Sequence, residues 1–176
     1  MVYYCHIIIQ MGGDESKMKK KKSFREYNLY NFIAEWLMGK DKENRVLISP
    51  DVPSIPTSSR LGIQTIAPDL AVYKKNSSEK LTLIEVKADS MYLIEGIGRC
   101  EVYKLIADFV YLALPESIAK KIGSNSFYEY WHIGILSVSE KGDIEEIVEA
   151  KQNDIYKVFG LRSTLLENIK SALRVK

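Results

Sequence analysis

Three residues of this chain have types and spacing suited to hydrolytic chemistry: Asp69, Glu85 and Lys87. Glu85 and Lys87 close the run Leu81-Thr82-Leu83-Ile84-Glu85-Val86-Lys87. Its unbroken apolar and β-branched residues, preceded by the turn residues Asn76-Ser77-Ser78, read as an interior strand. Strand side chains alternate, so Glu85 and Lys87 leave one face about 7 Å apart while Val86 leaves the other. Charges at the end of an apolar strand are costly unless they are paired or bound to a metal. Pro68-Asp69-Leu70-Ala71-Val72-Tyr73 reads as a second short strand, and the turn-rich Lys74 to Lys80 segment folds it back as a hairpin. That hairpin brings Asp69 beside Glu85. Two carboxylates near a lysine suit a hard divalent cation, because Mg²⁺ takes oxygen ligands and keeps several waters.

Pro68-Asp69 followed by Glu85-Val86-Lys87 resembles the signature of the PD-(D/E)xK nuclease superfamily, the restriction-endonuclease-like and Holliday-junction-resolvase-like phosphodiesterases. Two other Glu-x-Lys triplets, Glu15-Ser16-Lys17 and Glu149-Ala150-Lys151, do not end an apolar strand that follows Pro-Asp. The other Pro-Asp, Pro50-Asp51, runs into prolines that forbid a central strand. The resemblance implies an α/β fold with a restriction-endonuclease-like αβββαβ core, a central mixed sheet flanked by helices, over residues 24–138. It further implies a Mg²⁺-dependent DNA endonuclease, structure- or junction-selective and homodimeric, with Mn²⁺ as a substitute ion. Asp69, Glu85 and the Val86 carbonyl would hold the metal, Lys87 would orient the attacking water, and Glu35 would be the first-helix glutamate that many members carry. Three alternatives stand beside these readings. Glu85 and Lys87 would be a strand-end ion pair, Glu35 would face water, or the fold would bind DNA or a protein without cutting. The presence of all three core residues argues against the last.

The surrounding elements must position this set. Ser23-Phe24-Arg25-Glu26 has capping-box spacing and starts a helix that runs to Met38 and stops at Gly39, its apolar face formed by Phe24, Leu29, Phe32, Ile33, Trp36 and Leu37. Arg45–Ser49 is the first strand. The proline-rich connection from Pro50 to Gln64 carries Ser58, Ser59 and Arg60, which are candidate nucleic-acid contacts. A helix over Tyr92–Ala107 sets Glu95, Arg99 and Tyr103 on one face. Arg99-Cys100-Glu101-Val102-Tyr103 is similar to a Gln-x-x-x-Tyr element of the resembled superfamily, with arginine replacing glutamine. Arg99 there offers a fork of donors to a phosphate, or pairs with Glu95 on a wet helix face. Strands follow at Asp108–Leu114 and Trp131–Val138, parallel because the helix Glu116–Ile122 crosses between them. Lys141-Gly142-Asp143 turns into a strand Ile144–Val148, and Asp154–Val175 is helical, broken at Gly160.

The length of 176 residues suits one domain, 23–176, preceded by a basic arm, 1–22, whose lysines face solvent or contact phosphate. Residues 1–40 carry seven basic and four acidic side chains, 41–150 carry twelve and seventeen, and 151–176 carry six and two. An acidic middle fits a polyanion binder only if some carboxylates hold metal and the basic ends supply phosphate contacts. Cys5 and Cys100 cannot build a disulfide framework or a four-cysteine cluster, and His6 and His132 lack metal-ligand spacing. No segment approaches a membrane span and the N-terminus lacks a secretion signal, so a cytoplasmic, reduced setting is expected.

Overall fold

The computed structural model describes residues 26–55, 65–75, 79–123, 131–153 and 158–174. The basic arm 1–22, the capping position Ser23 and the candidate contacts Ser58, Ser59 and Arg60 lie outside them. In chain order the elements are α1 (Glu26–Lys40), β1 (Asn44–Ile48), β2 (Leu70–Lys74), β3 (Lys80–Val86), a 3-10 turn (Ser90–Tyr92), α2 (Leu93–Lys104), β4 (Phe109–Pro115), α3 (Glu116–Gly123), β5 (Gly134–Val138), β6 (Ile144–Val148) and α4 (Phe159–Arg174). The six strands form one open mixed sheet in the order β1-β2-β3-β4-β5-β6. β1, β2 and β3 meander antiparallel. β3, β4 and β5 are parallel, and β6 returns antiparallel on β5.

The parallel stretch follows from the crossovers. α2 carries the chain from the end of β3 to the start of β4, and α3 from β4 towards β5, so each strand re-enters in the same direction. Strands covered on both faces read as continuous apolar runs. β5, buried at all five positions, is one, and β3 is another until it reaches Glu85. Alternation along β3 then sorts two cores. Ile84 and Val86 pack with Leu29, Ile33, Ala34 and Leu37 of α1, together with Leu70 and Val72 of β2. Leu81 and Leu83 pack on the opposite face with Ile97, Cys100 and Tyr103 of α2, Ala119 of α3, and Leu165, Leu166 and Ile169 of α4. The sheet is thus covered by α1 on one side and by α2, α3 and α4 on the other.

Several boundaries differ from those expected from sequence. α1 passes through Gly39 to Lys40. A Cβ at Gly39 would meet nothing within 4 Å, so this glycine neither packs closely nor ends the helix. The second helix resolves into a 3-10 turn capped by Asp89, whose side chain accepts the Met91 N–H, and an α-helix that ends at Lys104. The last amides tighten there, with Leu105 N–H on Val102 O and Ile106 N–H on Tyr103 O. The strand expected from Trp131 begins only at Gly134, because His132 takes a positive φ of 58° and turns the chain. Gly160 lies within the first turn of α4 and does not break it. The expected hairpin turn is present, with Gly142 at φ 92°, the left-handed region open to glycine. Among the described residues no helix is long and apolar enough to cross a membrane.

Candidate functional site

The β2–β3 register fixes the first two members. Leu70 pairs with Ile84, so the next position outward sets Asp69 beside Glu85. Asp69 is held by three elements. Its own carbonyl accepts the Ser49 N–H at 2.8 Å after β1, its Oδ1 accepts the Tyr30 hydroxyl of α1 at 2.8 Å, and its Oδ2 accepts the Val86 N–H of β3 at 2.7 Å. Val86, between Glu85 and Lys87, turns its side chain into the α1 core.

Glu85 is wholly buried. Tyr103 of α2, itself wholly buried, donates its hydroxyl to Glu85 Oε2 at 2.7 Å. The other carboxylate oxygen, Oε1, is approached by Lys87 Nζ at 2.9 Å and by Arg99 at 3.4 Å. The closer of the two, Lys87, is a charge-assisted contact, and Arg99 adds a longer ion pair to the same buried oxygen. Burial, and then the charge of Asp69, push the Glu85 carboxyl up to about 7, against the opposing pull of Lys87 and Tyr103. Lys87 is only 7 % exposed, and burial alone would lower its ammonium pKa. The contact with Glu85 outweighs this and raises it, so the lysine stays charged. Burial and Glu85 together raise the Tyr103 hydroxyl, which remains a neutral donor.

Lys87 reaches this position through a gap left by α2. A Cβ on Gly96 would sit 2.9 Å from Lys87 Cγ and 3.0 Å from Leu112 Cδ1, so the bare glycine backbone gives passage to the aliphatic stem. Next to Gly96 on α2, Glu95 is half exposed and pairs with Arg99 at 2.9 Å and with Lys87 at 3.6 Å. Both readings of Arg99 therefore describe contacts it makes: it pairs with Glu95 along the helix and reaches over to Glu85. Its side chain is more than one-third exposed, at the mouth of the buried pair.

Asp69, Glu85, Lys87, Arg99 and Tyr103 thus come together, and Glu35 does not. Glu35 lies on the exposed side of α1, two residues past the fully buried Ile33, and the α1 side chain that meets the site is Tyr30. Tyr103 lies beneath Glu85 as its hydrogen-bond donor, too deep to touch a bound strand. Sequence reasoning missed Tyr30 and Gly96. A signal for Tyr30 existed, since it lies three, four and seven residues before the buried Ile33, Ala34 and Leu37 and so shares their face. Gly96 carried no comparable signal.

Among the described residues no group of three His, Cys, Asp or Glu side chains gathers as a metal site. Two carboxylates remain, which fits an ion that uses one or two carboxylates and otherwise backbone oxygens and water. The buried Glu85 carboxylate, next to the second carboxylate of Asp69, is a place where a divalent cation would relieve an electrostatic cost.

No family model and no curated protein matches this chain. Among solved structures it is similar to the SPO1766 protein of unknown function from Silicibacter pomeroyi, with 12% identity, a TM-score of 0.55, and coverage of 90% of this chain and 91% of that one. The likeness extends over nearly the whole of both chains and concerns the fold alone.

Proposed function

We propose that this chain is a divalent-metal-dependent DNA endonuclease of the PD-(D/E)xK kind, homodimeric and selective for junctions or other DNA structures. The observation that carries the reading is Glu85, a fully buried carboxylate beside Asp69, with the buried Lys87 ammonium 2.9 Å from one of its oxygens. A purely structural ion pair would not need a second carboxylate alongside it, driving its pKa upward. The order α1, β1-β2-β3 antiparallel, α2, β4 parallel also supports the reading, since it follows the αβββαβ core of the resembled superfamily.

Asp69 and Glu85 would hold Mg²⁺, or Mn²⁺ in its place, with the Val86 carbonyl as a third oxygen. Bound there, the ion supplies Lewis-acid neutralisation of the phosphate. In the reaction a water oxygen adds to phosphorus and one ester P–O bond breaks, leaving a phosphate monoester and a free hydroxyl. Lys87, held charged by Glu85, orients that water and offsets the charge that builds on the phosphoryl oxygens. Tyr103 and Tyr30 keep the two carboxylates in single orientations. Arg99, at the mouth, presents its guanidinium to an entering phosphate. Glu35 has no part in this arrangement.

The test uses labelled linear duplex, single-stranded, flap and four-way-junction DNA with Mg²⁺, Mn²⁺ or EDTA. Wild-type protein is compared with Lys87→Ala and Asp69→Asn. Metal-dependent cutting is expected, falling about 100-fold or more in both variants. If DNA is bound in a gel shift but no substrate is cut with either metal, the cluster is an ion-pair network and the protein is a binding module.

A further inference from the structure

A concave feature lies at the opposite end of the same sheet from Asp69. Tyr73 stands four residues along β2 from Asp69, about 13 Å away at strand spacing, and borders a cleft of about 560 Å³ between the β1–β2 edge and the last turn of α4. Lys42, Arg45, Lys75 and Arg174 line it, and all four are exposed.

The carboxylates nearby are largely committed elsewhere. Glu79 Oε1 accepts Lys170 Nζ at 2.6 Å and the Tyr73 hydroxyl at 2.8 Å, which consumes the charge of Glu79 on a fifth cation. Asp41 is paired with Lys74. Glu43, whose charge also acts on Lys74, is the other lining carboxylate, against four cations. Four like charges in one concavity raise its potential well beyond that of a flat surface carrying the same side chains. Arg45 is also anchored, because its NH1 donates to Lys42 O at 2.9 Å and Asn44 O at 3.2 Å. Its remaining nitrogens can then meet a ligand at little ordering cost. Leu173 and the edge of the nearly buried Tyr73 ring give the cleft an apolar portion. Its volume lies within the range of sites for small organic ligands and is far larger than a lone phosphate needs.

We propose that this cleft is a binding site for a phosphate-bearing ligand of nucleotide size, held by Arg45, Arg174, Lys42 and Lys75. The ligand is either a free nucleotide or a phosphorylated nucleotide of a nucleic-acid strand, which share this chemistry. The site is separate from the Asp69–Glu85 pair and does not depend on the phosphodiesterase reading.

Binding of inorganic phosphate, AMP and a 5′-phosphorylated single-stranded oligothymidylate would be measured by calorimetry in EDTA. The proteins are wild type, Arg45→Ala/Arg174→Ala, Lys75→Glu, and Lys141→Ala on the β5–β6 turn as a control, with thermal melts to show that each is folded. AMP or the oligonucleotide is expected to bind more tightly than phosphate. Both cleft variants should weaken that binding about tenfold or more, while Lys141→Ala leaves it unchanged. Preference for AMP over the oligonucleotide names a free nucleotide as the ligand, and the reverse names a strand. The proposal is overturned if no ligand binds the wild type, if folded cleft variants bind as well as it does, or if an acidic peptide competes as strongly as AMP.

Discussion

Glu85 concentrates the chemistry of this protein in one residue. Its carboxyl stands at about 7 against an ordinary 4.5, so the folded state holds this proton more tightly than the unfolded chain does. The resulting contribution to stability is complete below pH 4.5 and is lost as pH rises through 7. In metal-free protein, urea unfolding in EDTA between pH 4.5 and 8 should show a decline attributable to Glu85 of up to about 3 kcal/mol. Glu85→Gln should remove that slope, at the cost of leaving the buried Lys87 ammonium without its carboxylate partner. A wild-type profile that rises across this range in parallel with the variant would mean that Lys87 and Arg99 neutralise the carboxylate fully. Asp69, Glu85 and Lys87 were legible in the sequence because strand alternation and hairpin register are short-range rules that place residues within one or two positions. Glu35 was misassigned because a hydrophobic helix with few polar positions does not announce which of them lies near a sheet end. The phase of Tyr30 with Ile33 and Leu37 carried that information, but a tyrosine on an apolar face reads as core.

At the scale of elements, α2 does more than connect β3 to β4. Its Tyr103 supports Glu85 from below, its Arg99 and Glu95 frame the mouth, and its Gly96 lets the stem of Lys87 lie against the helix. The face shared by Glu95, Arg99 and Tyr103 was legible from four-residue spacing. The passage at Gly96 was not, because close approach of a side chain from another element leaves no mark on local periodicity. Gly96→Ala separates these contributions. Alanine gains roughly 1 kcal/mol of helix propensity over glycine, which offsets part of the crowding. The Lys87 stem must still shift, since its Cγ would lie 2.9 Å from the new methyl group. If the lysine orients the attacking water, a displacement of this kind should cost on the order of 10- to 100-fold in cleavage rate. The melting temperature should stay within a few degrees of wild type. An unchanged rate in a folded variant would remove Lys87 from the water-orienting role and leave it as a charge partner of Glu85.

Over the whole molecule, the strand count and the parallel crossovers were legible because apolar runs separated by helical segments restrict how a sheet can be wound. What fastens the C-terminal helix to that sheet was not. Asp108, only 2 % exposed at the start of β4, accepts the Leu81 N–H at 2.8 Å and Arg162 NH2 at 2.6 Å through Oδ2. Arg162, 54 residues later in α4, also donates to Ile106 O at 2.6 Å and Glu79 O at 3.2 Å. The buried Asn153 closes the same corner, its backbone N–H on Asp108 O and its side chain on Ala107 O. An aspartate before a strand and an arginine in an amphipathic helix look like ordinary surface residues until the fold brings them together. Breaking such a pair from one side leaves a buried charge without its counterion, and Arg162→Ala should therefore lower the unfolding free energy by about 3–5 kcal/mol. Asp108→Asn combined with Arg162→Met removes both charges, keeps an acceptor for the Leu81 amide and retains most of the arginine's buried bulk, so it should recover much of that loss. Urea titrations of the wild type and the two variants, with midpoint and slope compared, decide the matter. A loss below about 1 kcal/mol in Arg162→Ala would show that water satisfies Asp108 and that apolar packing of Leu165, Leu166 and Ile169 alone holds α4 in place.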